Sequence, residues 1–158
     1  MKKIIHVMLA VFIFLNAYAY AMDNDLLDLR NKIFDESKEL KSLIANSKNM
    51  LLLNNMWDSC VVAITQLDAY FFMMGVFDSV SRDNWNEEGV NYLELWLNKI
   101  KNTNEVNIKS LGNLPAGLEP QTQVRAERLK GYFSDLNDAI DESLDTISKL
   151  KKTVKSNK

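Results

Sequence analysis

Any catalysis in this chain would have to be built on carboxylates. Its single histidine is His6 and its single cysteine is Cys60. Serine or cysteine nucleophiles that depend on an imidazole base have no such base in the body of the chain. A zinc site of histidines and thiolates cannot be assembled from one thiolate. No glycine-rich phosphate loop or dinucleotide fingerprint occurs, and no cofactor is expected. Paired carboxylates, by contrast, can hydrolyse glycosides without histidine. Two acidic groups could be considered for that role: Glu87 with Glu88, and the series Asp135, Asp138, Asp141, Glu142 and Asp145. The first suits an opening helical turn, where the helix dipole favours negative charge. The second reads as a solvated helix face, with Asp145 placed four residues before Lys149 as an ordinary ion pair. It lacks the twelve-residue loop and central glycine of a calcium site. No catalytic residue and no metal ligand is therefore assigned, and a carboxylate-based cell-wall hydrolase is the least favoured reading.

Binding offers more than catalysis does. Asp68 is the one acid in the middle of the most apolar segment and is expected within its buried stripe. A buried carboxylate needs hydrogen bonds or a cation, so an Arg, Lys or Trp neighbour is expected. If function uses it, Asp68 would anchor a ligand in a pocket lined by Tyr70, Phe71, Met74 and Trp96, methionine and aromatic walls being adaptable. Leu111, Leu114 and Leu118 either cap one end of the fold or face a partner. The basic end of the chain, with Lys149, Lys151, Lys152 and Lys155, completes a helix dipole or meets an anionic surface.

The elements that would position these residues are all helices. Only two prolines and five glycines interrupt 158 residues, and no long stretch alternates with period two. Apolar residues recur at spacings of three and four, the mark of amphipathic helices. The spacing predicts helix 1 over about 24–49, a break at Asn54-Asn55, and helix 2 over 56–80. Ser81 to Asn84 reads as a turn, with Asn84 and Glu87 as a capping box. Helix 3 is expected to end near Lys101, and helix 4 to open near Pro120 and run on, with 155–158 as a frayed tail. Between them, 102–119 is rich in turn formers and reads as a long loop, holding at most one helical turn at 105–111. Helix 2 is apolar nearly all round, which predicts burial by neighbours on several sides, or a part in an oligomer contact. Thr65, Gln66 and Asp68 argue against its spanning a bilayer. The expected architecture is all-α: a four-helix bundle, antiparallel, with one long connection between helices 3 and 4.

The N-terminus supplies an address. Met1-Lys2-Lys3, an apolar run from Ile4 to Ala17 and the small-x-small pattern Ala19-Tyr20-Ala21 have the layout of a cleavable secretory signal over 1–21, leaving a single domain over 22–158. The localisation expected is periplasmic or secreted, and the richness in lysine, asparagine and isoleucine fits a bacterial source. With one cysteine no intramolecular disulfide can form, so packing alone must hold the fold. The formal charge is −2 and becomes more acidic once Lys2 and Lys3 are removed, so nucleic acid is not expected as a partner. The reading that follows is a non-catalytic exported protein that binds another envelope or secreted protein, with a homodimer as the other partnership and membrane contact at most peripheral. A carrier of a lipid or other apolar ligand is the runner-up.

Overall fold

The computed structural model describes residues 24–79 and 87–156. The expected signal peptide, the 81–84 turn with its Asn84 cap, and the last two residues lie outside the described residues. Four helices make up the fold: α1 over 24–44, α2 over Met50–Ser79, α3 over Glu87–Gly112 and α4 over Pro120–Ser156. No strand occurs among the described residues, and the helices form a bundle.

Each helix turns one stripe inward. Leu26, Leu29, Ile33 and Leu40 come from α1, and Leu53, Met56, Cys60, Ala63, Leu67 and Tyr70 from α2. Val90, Leu93, Leu97 and Ile100 of α3 meet Leu129, Phe133, Leu136, Ile140 and Ile147 of α4. Spacings of three and four keep each set on one face, so the four stripes meet along a common axis. Polar contacts set the directions. Arg30 early in α1 meets Asp68 late in α2. Along α3 and α4, Glu94 pairs with Lys151, Lys101 with Asp141 and Asn104 with Asn137. Between α2 and α3, Ser59 meets Asn107, while the Trp96 indole N–H donates to the Gln66 carbonyl at 3.0 Å. Glu36 of α1 meets Arg125 of α4. Between α2 and α3, between α3 and α4, and between α1 and α4, where Arg128 also reaches Glu36 and Arg125 also reaches Glu39, one index rises as the other falls, so these neighbours are antiparallel.

Several boundaries differ from expectation. The first break falls at 45–49, not at Asn54-Asn55, which lie inside α2. There Ser47 Oγ accepts the Asn49 amide, and the Asn49 carbonyl receives the first helical bond of α2 from Leu53. The expected loop over 102–119 is shorter, because α3 continues through Gly112 and leaves only 113–119 as the connection. Asparagines did not break the helix because Ile100, Asn104, Ile108 and Leu111 continue its inward stripe. Tertiary burial overrides their weak local preference for turns. The expected fraying over 155–158 is also corrected in part, since residues 155 and 156 remain helical.

The two loops at this end lock together. The Glu119 amide donates to Asn49 Oδ1 at 3.0 Å, while the Glu119 carboxylate accepts from the Ser47 hydroxyl and the Lys48 amide. The Glu119 carbonyl in turn takes the first helical bond of α4, from Gln123. Thus the caps of α2 and α4 serve each other, covering amides that a helix start leaves unpaired. Hydrogen bonding by Ser47 and Lys48 holds the Glu119 carboxyl below its ordinary value. Gly117, at φ 84°, makes the turn that brings Glu119 back, a conformation glycine adopts without steric cost.

One expectation about packing is overturned. Helix α2 is not surrounded by neighbours. Leu51, Val61, Val62, Phe72 and Val76 are exposed, and only 22% of its most apolar 18-residue window is buried. By length and composition alone, with a mean hydropathy of 1.7, Met50–Phe77 could cross a bilayer.

Candidate functional site

The residues expected to form a ligand pocket do not line one together. Asp68 was expected in the buried stripe, but its side chain is 51% exposed at the edge of α2. It accepts a bidentate pair from Arg30, at 2.9 and 3.0 Å, so the expectation of a cationic neighbour holds while the burial does not. The helical period explains the shift. Leu67 takes the inward position, and Asp68 lies about 100° round the helix from it. Bonding to Asp68 raises the Arg30 guanidinium above its ordinary value.

The other expected pocket residues belong to the packed interior. Tyr70 is 1% exposed, and Phe71 and Met74 are half-buried against the core. The Tyr70 and Phe71 rings are tilted at 5.9 Å. Trp96 is half-buried, held by its bond to the Gln66 carbonyl and overlain by Lys99 at 4.8 Å. Leu111 and Leu114 pack against the core and Leu118 is half-buried, so this group caps the end of the bundle. The clefts on the described surface draw on other residues. One of about 320 Å³ lies between α1 and α2, among Phe34, Lys38, Lys41, Trp57, Val61 and Ile64. Another, of about 620 Å³, runs along Leu95, Lys99, Asn102 and Val106 of α3.

The basic end does not form a single patch. Lys151 is committed to Glu94 of α3, and Lys149 lies 3.6 Å from Asp145, the i,i+4 pair expected. Lys152 is exposed, and the Lys155 side chain lies outside the described residues. No group of three or more metal-ligating side chains gathers among the described residues. Asp141, in the acidic series of α4, is engaged by Lys101 at 2.6 Å.

Cys60 is fully buried at the α1–α2 contact, and desolvation, with the nearby charge of Glu36, pushes its thiol up to about 12. A thiol this protonated and enclosed is inert. A soluble thiol reagent near pH 8 is expected to leave the native protein unlabelled and to modify Cys60 fully in denaturant. Labelling at the rate of a free thiol would show that α2 opens locally.

Two features were not foreseen from the residue pattern. The first is the interior polar set: Glu36 at 3% exposure with Arg125 and Arg128, and Asn104 donating to Asn137 Oδ1 at 3.2 Å. The second is an apolar outer face. Val62, Phe72 and Val76 of α2 are exposed, as are Tyr92, Leu95 and Val106 of α3, and Leu51 is exposed at the start of α2. The opposite layer is more polar: α1 and α4 carry the Asp28–Lys32, Asp35–Lys38 and Asp145–Lys149 pairs and the Arg125 cluster, with Leu27, Phe34 and Val124 as its exposed large apolar residues. Between Met50 and Phe77 the only charged residues are Asp58 and Asp68, and Asp68 is neutralised by Arg30. Two α2 hydroxyls are satisfied inside the helix, Ser59 donating to the Asn55 carbonyl and Thr65 to that of Val61. Covering the α2 side of this face therefore costs little in polar desolvation, while the α3 side also exposes Asn98, Lys99 and Asn102.

The fold and this face together define a helical bundle with an apolar outer layer on one side. Comparison with protein-family models, with curated proteins and with solved structures returned no match.

Proposed function

We propose that this chain is an exported, non-catalytic helical protein that works by binding protein through the outer face of α2 and α3. The observation that carries this reading is the exposed apolar set Leu51, Val62, Val76, Tyr92, Leu95 and Val106, concentrated on one layer whose opposite is laced with ion pairs. Exposed apolar side chains gathered on one layer in this way are the kind of surface that marks interaction sites. The signal-like pattern over 1–21 supports export, and the carboxylates, being exposed or already paired, support a binding role over hydrolysis.

The test is site-specific photo-crosslinking in the intact source cell. A photoreactive residue at Val62 or Leu95 is expected to capture a protein in stoichiometric yield, and one at Lys152 on α4 is not. The captured chain is expected to begin at Met22. Equal, weak capture at all three positions would remove the binding reading, and an N-terminus at Met1 would remove export.

A further inference from the structure

We infer that the partner of the α2–α3 face is a second copy of this chain, related by a two-fold axis parallel to the helices. The inference rests on the reading of that face as a protein-binding surface.

The cross-helix bonds set relative heights within the layer. Ser59 is level with Asn107, and Gln66 lies between Thr103 and Trp96. Because α2 and α3 are antiparallel, Val62 then stands close to the height of Val106, and Val76 close to that of Tyr92. Asp58 falls near the level of Lys109; both are exposed, and neither takes part in an ion pair among those described. A two-fold parallel to the helices lays α2 of one copy on α3 of the other at equal height. Apolar then meets apolar, Val62 on the second copy's Val106 and Val76 on its Tyr92, while Asp58 approaches its Lys109. The same operation repeats every contact twice, as an isologous interface requires.

The area is adequate as well. Where the two helices run side by side, from Asn54 to Val76, the face is about 33 Å long at 1.5 Å per residue, and two adjacent helices span about 20 Å. That gives roughly 660 Å², within the range of about 600–1,000 Å² per partner of a stable complex. Lys99, level with Gln66, lays its methylenes along the face with its ammonium over the Trp96 ring.

Sedimentation equilibrium of the purified, exported chain at micromolar concentration tests the arrangement. Wild type is expected to sediment at twice the chain mass. Val62→Glu and Val106→Lys, both at exposed positions, are each expected to raise the dissociation constant at least about tenfold with helical circular dichroism unchanged. The double variant, which sets the two new charges against each other across the axis, is expected to recover most of the dimer. A monomeric wild type overturns the inference, as does a dimer indifferent to both single variants. If the monomer is nevertheless photo-crosslinked through Val62 to a different protein, the binding reading stands and only the second copy falls. Monomer that co-sediments with phosphatidylglycerol vesicles and crosslinks to no protein overturns both.

Discussion

Arg125→Ala is expected to lower the unfolding free energy by about 3 kcal/mol and the melting temperature by about 10 °C. Glu36 is the carboxylate at stake. It sits on the inner side of α1, and Arg125 Nη1 reaches both of its oxygens at 3.1 Å while Nη2 reaches Glu39 at 3.0 Å. A lone carboxylate in that position would lose its hydration without a full countercharge, and breaking a buried pair from one side costs about 3–5 kcal/mol. Arg128, 3.5 Å from the second Glu36 oxygen, remains and supports the lower end of that range. The pair also joins the first helix to the last, so its loss loosens the seam that closes the bundle. Urea denaturation of Arg125→Ala, Glu36→Gln and the double variant is the measurement. The double is expected to cost less than the two singles together, because each single removes the same contact. An unshifted midpoint in Arg125→Ala would mean that Glu36 is hydrated or fully served by Arg128.

Tyr70→Ala and Phe72→Ala are expected to behave oppositely although they are two residues apart. Tyr70, 1% exposed among the largest core side chains, should cost about 4 kcal/mol when truncated, through lost transfer energy and the cavity left behind. Phe72 is 74% exposed, and its truncation should change folding stability by no more than about 0.5 kcal/mol. Chemical denaturation of both variants decides the matter. Similar losses would mean that the Phe72 ring is covered, and that α2 is rotated from the orientation described. The contrast bears on function as well, since a defect in a Tyr70 variant reports folding and not ligand contact.

The helical class and most inward stripes were legible because spacing of three and four survives any arrangement of the helices. Val90, Leu93, Leu97 and Ile100 show this on α3, as do Leu129, Phe133, Leu136 and Ile140 on α4. The end of α3 was not legible. Its asparagines and glycine read locally as loop, while the packing of Asn104 and Ile108 against their neighbours keeps the helix going. The Glu36–Arg125 pair was hidden for a related reason, its members lying 89 positions apart with nothing in either neighbourhood to couple them. The candidate pocket failed on angle. Asp68 and Tyr70 are close along the chain, but one lies at the helix edge and the other points inward.

Two expectations about α2 were also in tension. In a four-helix bundle each helix meets two neighbours and a shared axis, which covers about half its circumference. A helix apolar all round must then expose the rest, at Leu51, Val62 and Val76. Composition and periodicity by themselves determined that the chain is helical, that it carries one histidine and one cysteine, and that α2 is its most apolar part. Only the tertiary structure decided which face of α2 is spent on the core and which is left outward, because burial depends on the neighbours a helix has and not on how apolar it is.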